Sequence, residues 1–290
     1  MQNKKSILIT GCSSGIGLET SLFLRKHGFH VIPTARKEKD VTMLKKLGFD
    51  ALQLDLDDSD SIKKAAKEAL RLSRNKLYSI FNNAGFGIPG AIEDLSRIAL
   101  EKKFQGNVFG HVELTNLLIP SMRKNGQGRI IWKSSVLGLV SMPYRGAYNA
   151  SKFAIEGIAQ ALRIELRGSG IFVSLIEPGP ITSKFRHNAL EQFKQYIPIE
   201  KSHHAHLYKK IILENYPARR PTAGTLEPIA VSRKVLHALT SKKPKLHYFV
   251  TWPTYAFDIL RRFFPARVVD YVLHREIRVE TRWITRKKDR

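Results

Sequence analysis

The chain is predicted to fold as an α/β domain on a doubly wound parallel sheet, and three features of its 290 residues predict this. Short apolar, β-branched runs alternate with stretches of helical period. Those runs are apolar throughout, instead of alternating with polar residues, as strands covered on both faces must be. The residues best suited to ligand contact (Thr10, Arg36, Asp55, Asn83, Ser135 and Pro178) all fall where a strand ends. Ligands of open parallel sheets bind outside the carboxyl ends of the strands, so these positions converge on one edge.

The first strand, Ser6–Thr10, runs into the loop TGCSSGIG, Thr10–Gly17, and then into the helical pattern Leu18, Leu22, Phe23. Strand, glycine turn and helix N-terminus make a phosphate cradle. Gly11 permits the tight turn, Gly15 lets a pyrophosphate approach the backbone, and Gly17 allows close helix packing. With Ser13, Ser14 and Ile16 they are the candidate cofactor contacts of this loop.

The second strand, Phe29–Ala35, ends at Arg36 and Lys37, where an acid would hold the 2′-hydroxyl of NAD. A guanidinium there suits a 2′-phosphate, which favours NADP(H); a solvated basic helix start is the alternative. Ala51–Leu54 reads as a third strand followed by Asp55 and Leu56. Asp55 can accept from an adenine amino group, while Asp58 and Ser59 serve as caps for the helix Ser61–Leu72. The fourth strand, Leu77–Phe81, ends in Asn83-Ala84-Gly85, small enough for backbone to approach a cofactor, and Phe86–Gly90 is a loop at the pocket mouth.

A helical pattern spans about 96–124 with an interruption at Gly106-Asn107. Asparagine competes for backbone groups inside a helix, so something polar must need it there. Strand five, Arg129–Trp132, leads to SSVLGLVSMPYRGAYNASK, Ser134–Lys152. Tyr148 and Lys152 are four apart on one helical face, where an ammonium favours phenolate and lowers the tyrosine pKa from about 10. Tyr148 is thereby a candidate acid/base, and Ser135 can donate a hydrogen bond to the same substrate oxygen. Strand six, Ile171–Ile176, turns out through Pro178-Gly179-Pro180-Ile181-Thr182. Residues 183–225 then read as a helical lid. His203, His204 and His206 lie within it without a carboxylate or cysteine spacing that would make a metal site. A helix near Glu227–Leu239 and a strand near Leu246–Val250 close a domain of residues 1–250.

The extension 251–290 alternates apolar residues (Phe257, Leu260, Phe263, Phe264, Val268, Val269, Val272) with Arg261, Arg262 and Arg267. Packing of this face against the domain or a second subunit is expected, with a helix lying on a membrane surface as the alternative.

Composition bounds the rest. With 43% hydrophobic and 26% charged residues the chain is a folded globular protein. The single cysteine, Cys12, excludes an internal disulfide framework. No apolar run approaches the roughly 18–20 residues needed to span a bilayer. Ile7-Leu8-Ile9 after Lys4-Lys5 is too short for a signal-peptide core. A cytoplasmic protein is expected, with contact at the inner face of the membrane through the extension as the variant. The net charge of +24 implies attraction to polyanions. No helix-turn-helix, zinc or RNA-binding signature supports specific nucleic-acid recognition.

With Thr10–Gly17, Asn82–Gly85, Asn107, Ser135, Tyr148, Lys152 and Pro178–Thr182 in this order, the chain resembles the short-chain dehydrogenase/reductase family over residues 5–250. YNASKFAIEGIAQALRIEL and SLIEPGPI are similar to its hydroxysteroid and retinol dehydrogenase-like branch, and especially to bacterial members described as NADP-dependent aldehyde reductases. The resemblance implies a Rossmann-type fold and an NADP-linked oxidoreductase acting on a lipophilic aldehyde or ketone. A retinol- or hydroxysteroid-type dehydrogenase is the alternative, and a non-catalytic NADP sensor or polyanion binder the rival of another class. It implies Tyr148 as acid/base and Lys152 as its pKa modulator and nicotinamide-ribose ligand. Ser135 would orient the carbonyl, and Asn107 would hold a water in a proton relay. Pro178, Gly179, Ile181 and Thr182 would meet the nicotinamide. A homodimer or homotetramer is implied as the assembly. Trp132-Lys133 departs from the small or polar residues usual before the serine.

Overall fold

The computed structural model describes residues 4–209 and 223–285. The elements run β1 (Ser6–Ile9), α1 (Gly15–Lys26), β2 (His30–Ala35), α2 (Glu38–Lys46), β3 (Leu52–Gln53), α3 (Ser59–Leu72) and β4 (Leu77–Asn82). They continue with α4 (Arg97–Phe104), α5 (Gly110–Lys124), β5 (Gly128–Lys133), α6 (Gly146–Glu165), β6 (Ile171–Glu177) and α7 (Phe185–Tyr196). The single turn α8 (Ala205–Leu207), α9 (Ile229–Thr240), β7 (His247–Phe249), α10 (Trp252–Phe263) and α11 (Ala266–Thr285) follow.

All seven strands are parallel, in the order β3-β2-β1-β4-β5-β6-β7. The chain winds outward from β1 to β3, returns to β4, and winds the other way to β7. The reversal between β1 and β4 opens the crevice that ligands of such sheets use. Strand residues alternate across the pleat: Leu8 packs under α3, α5 and α6, whereas Ile7 and Ile9 pack under α1, α2 and α9. Helices on both faces explain why the strands are apolar throughout. A third, smaller cluster (Ile88, Leu95, Ala147, Leu190, Phe193, Tyr208) ties the lid helix α7 to the loop after β4 and the start of α6.

The interruption at Gly106-Asn107 is a π-helical turn, Gln105–Phe109, joining α4 directly to α5. One extra residue per turn re-aims the side chains that follow, which is how such bulges serve sites. The tail divides its apolar residues. Phe257, Leu260, Val269 and Val272 are half-buried, but Phe263, Phe264 and Val268 are exposed. The side of α10 that faces the domain carries the polar Thr254 and Asp258 instead. Lid residues 210–222 lie outside the described residues.

Behind the site, Glu156 of α6, Glu177 at the end of β6 and His247 of β7 bring ligand-type atoms within 4.8 Å of one another. The Tyr248 N–H donates to Glu177 at 2.9 Å, and His247 Nδ1 lies 2.5 Å from its other oxygen. Burial pushes Glu177 up to about 9 and Glu156 up to about 7, while burial lowers His247. A protonated Glu177 therefore donates to the neutral imidazole while accepting from Tyr248. Both carboxyl pKa values lie above their unfolded values. The stability they contribute is complete below the ordinary carboxyl range and is lost as pH rises through about 7 and about 9. Glu177→Gln reproduces the protonated form and cannot ionise. In parallel thermal melts it should lose less stability than the native chain between neutral pH and about 9, by on the order of 2 kcal/mol.

Candidate active site

β1 leads into Thr10, and the loop that follows turns at once because Gly11 adopts φ +70°. A side chain at Gly17 is impossible: its Cβ would lie 2.2 Å from the Gly11 carbonyl and 2.7 Å from Asn83 Nδ2. α1 therefore starts hard against the loop. Ser14 precedes it without a side-chain capping bond, and no acid occupies its first turn. The Gly15, Ile16 and Gly17 amides are thus free of a built-in anion, as a phosphate-binding terminus requires.

Thr10 joins the loop to β4. Its Oγ1 accepts from the Asn83 and Ala84 N–H groups, both at 2.9 Å, and donates to His111 Nε2 at 3.1 Å. Asn83 Nδ2 donates back to the Thr10 and Gly11 carbonyls at 2.8 and 3.1 Å. His111 Nδ1 donates to the Asn107 carbonyl at 3.2 Å, which fixes the tautomer that leaves Nε2 as acceptor. Burial holds this imidazole neutral, its pKa lowered to about 3. The buried Asn107 side chain accepts from Phe86 N at 3.2 Å and donates to Ser151 Oγ at 3.3 Å, one residue from Lys152.

Above this floor lies a cavity of about 770 Å³. Sixteen of the residues expected from sequence line it: Gly11, Ser13, Ser14, Gly15, Ile16, Gly17, Asn83, Ala84, Gly85, Ser135, Tyr148, Lys152, Pro178, Gly179, Ile181 and Thr182. Asn107 lies beneath the floor. Arg36 and Lys37 are exposed at the end of β2, on the same sheet edge but outside the lining. Asp55 spends an oxygen on the Asp57 N–H at 3.1 Å, a local turn bond, and Leu56 is buried with its carbonyl against Gly110.

Tyr148 stands in the first turn of α6, edge-to-face with Phe185 of the lid at 5.4 Å. Lys152 Nζ is 5.7 Å from its ring centroid and donates to the Lys133 carbonyl at 2.7 Å. Ser135 Oγ accepts from Leu137 N at 3.1 Å, and its own O–H reaches only the Pro178 carbonyl at 3.5 Å. So long a bond is easily exchanged for a better acceptor.

Sequence reasoning missed Lys103. It is fully buried on α4, bonds the Phe86 carbonyl, and sets its Nζ 4.7 Å from the Tyr148 ring centroid. Its place four residues before Asn107 was the available signal. Sequence reasoning also passed over His111, and found no role for Lys133. The Lys133 amine at the cavity wall is lowered to about 8 by burial. Burial holds Lys103 and Lys152 well below the usual lysine range, helped by the charges of Lys152 and Lys133 on Lys103 and of Lys133 on Lys152. Arg145, Lys184, Arg186 and His187 add to the lining, and among the described residues no carboxylate does. The unexpected Trp132 is buried in the core and meets His111 edge-to-face at 6.2 Å.

The short chain dehydrogenase family model matches residues 5–194. The chain belongs to the short-chain dehydrogenase family. The uncharacterized oxidoreductase YbbO of Escherichia coli K12 is 47% identical to this dehydrogenase over 270 residues, 93% of this chain and 94% of YbbO. Human retinol dehydrogenase 8 is 32% identical, covering 83% of this chain and 80% of its own. The crystal structure of a short-chain dehydrogenase from Streptomyces avermitilis superposes with a TM-score of 0.73 at 25% identity, covering 99% of each chain. This chain is therefore an oxidoreductase with the family's single Rossmann-type domain.

Two lining amines lowered by burial, Lys133 and Lys152, with no carboxylate beside them among the described residues, fit a polyanionic dinucleotide, whose charge would raise those pKa values. Binding must then take up protons, and affinity should fall as pH rises through about 8, where Lys133 gives up its proton. Calorimetric titration with NADPH in buffers of different ionisation enthalpy should show proton uptake near that pH. No buffer dependence would mean that Lys133 does not sense the ligand.

Proposed function

We propose that this short-chain dehydrogenase interconverts a carbonyl and an alcohol with NADP(H), acting in the reductive direction on lipophilic aldehydes or ketones. The observation that carries the reading is that Ser135, Tyr148 and Lys152 line one cavity with the phosphate loop, while Asn107 lies directly beneath. A bound nicotinamide supplies or accepts the hydride.

The chain's own residues handle the oxygen. Ser135 exchanges its long bond to Pro178 for one to the substrate carbonyl, fixing its position. Tyr148 Oη gives that oxygen its proton in reduction and takes it back in oxidation. Lys152 holds its ammonium beside the phenol and stabilises the phenolate left behind. Asn107 braces Ser151 and the Phe86 segment, holding the floor on which Lys152 is set. Ile88, Pro89, Val136, Leu137, Met142 and Phe185 give the cavity an apolar wall suited to a lipophilic substrate. That wall, with the likeness to human retinol dehydrogenase 8, supports a retinol- or hydroxysteroid-type substrate as the second reading.

Tyr148→Phe should lower turnover about 10³-fold or more and leave NADPH binding, read by fluorescence transfer from tryptophan, unchanged. An active variant would sink the mechanism. Arg36→Asp should weaken NADPH about tenfold or more and spare NADH, since a guanidinium at the end of β2 would recognise only the 2′-phosphate. Equal losses for both cofactors would overturn the NADP assignment.

A further inference from the structure

α10 is built the wrong way round for a helix that only packs on its domain. Its inward side carries Thr254, 3.2 Å from Thr251, and Asp258, which pairs with Arg261 and Arg262 at 2.9 Å each. Its outward side carries Trp252, Tyr255, Ile259 and Phe263 at helical spacings of three, four and four, all exposed, with Trp252 at 62% and Phe263 at 76%. Phe264 and, across the bend at Pro265, Tyr271 at 67% extend the stripe onto α11. Soluble domains rarely leave so many large apolar side chains in one continuous row, and such rows mark contact surfaces. Leu273 is buried and Val272 half-buried, and α11 packs against α10, itself held on the domain at the turn Val136–Gly138 and at β7.

We propose that this stripe docks the protein on an anionic membrane surface. Charge selects the occupant. Residues 252–290 hold ten basic against five acidic side chains, in a chain of net charge +24. Arg261, Arg262 and Arg267 border the apolar row and are exposed. A two-fold contact between two copies through this row would bring both copies' bordering arginines into one interface, between bodies that each carry a net charge of +24. An anionic lipid surface removes that repulsion and turns it into attraction. The side-chain chemistry agrees: tryptophan and tyrosine sit at headgroup level, phenylalanine and isoleucine reach the acyl boundary, and arginines meet phosphates. No helix among the described residues is long and apolar enough to cross a membrane, so the contact lies along the surface.

The stripe also adjoins the cavity. Trp252 lies against Gly224, where a Cβ would meet the indole nitrogen at 2.4 Å, and the next residue, Thr225, lines the cavity. α10 packs as well on the turn Val136–Gly138 that follows Ser135. Docking would thus present the lid side of the cavity to the bilayer.

The test is co-sedimentation of the full chain with vesicles of phosphatidylcholine alone and of phosphatidylcholine mixed with phosphatidylglycerol, in moderate salt. The native protein should pellet with the anionic vesicles and stay largely in solution with the neutral ones. Phe263→Asp/Phe264→Asp, with an unchanged melting temperature because both positions are exposed, should weaken the anionic association about tenfold or more. Arg267→Glu should weaken it less. Three results would each overturn the proposal. The native chain could ignore anionic vesicles. The double variant could bind them as well as the native chain does, leaving only the diffuse charge. Or the native chain could sediment as a dimer that the double variant splits, making a second copy the occupant. None of these readouts depends on the cofactor or the reaction.

Discussion

The site hangs on one hydroxyl. Thr10 Oγ1 receives two backbone N–H groups from the end of β4 and gives its proton to His111, so three separate segments meet at a single buried atom. β1 and β4 are neighbours in the sheet, but past their last paired residues nothing in the ladder holds them together. Thr10 and Asn83 supply that link, drawing the phosphate loop onto the small residues after β4. Because Thr10, Asn83 and His111 are all buried, losing one leaves its partners unsatisfied, the costly outcome for a polar network. The same node reaches the cavity floor, since His111 also bonds the carbonyl of Asn107. Cofactor loop and Tyr148 platform are therefore registered through two side chains.

Electrostatics gives the cavity its second constraint. Lys103, Lys133 and Lys152 crowd one region, and among the described residues no carboxylate lines the cavity, so burial and neighbouring positive charge disfavour the ammonium form of Lys103 and Lys152, and burial that of Lys133. The nearby acids are turned to other work. Glu156, one helical turn beyond Lys152, points into the cluster with Glu177 and His247, where burial leaves the acids protonated near neutral pH. A negative ligand is the missing counter-charge, which is why the arrangement suits a dinucleotide better than a neutral cofactor.

Much of this was legible in the sequence where physics leaves a local trace. Buried parallel strands must be apolar throughout, so their number and the convergence of their ends could be read directly, although β3 shrank to Leu52–Gln53. Asn107 announced itself as a residue out of place in a helix, but a π turn and a simple break look alike in sequence, and only backbone geometry separates them. Lys103 left no trace, because a lysine in EKKF reads as a solvated helix face and its burial is decided by the loop after β4. Glu177 was hidden for a related reason: an acid at a strand end looks exposed until β7 is known to cover it. Arg36 and Asp55 were located on the expected edge, yet Asp55 proved to be tied into its own turn.

The tail shows how an amphipathic pattern can divide its apolar residues between the domain and solvent. Periodicity reports that a helix has two faces, and the usual inference turns the apolar one inward because a core is the commonest place to bury it. On α10 the competing term is specific: Asp258 seats Arg261 and Arg262, and Thr251 with Thr254 closes against Gly179. Once those polar groups claim the inner side, helical geometry forces Trp252, Tyr255, Ile259 and Phe263 outward together. Their exposure follows from the polar anchoring and does not indicate a poorly packed helix. An apolar row held outward by polar anchoring and bordered by arginines is the arrangement from which docking on an anionic surface is proposed.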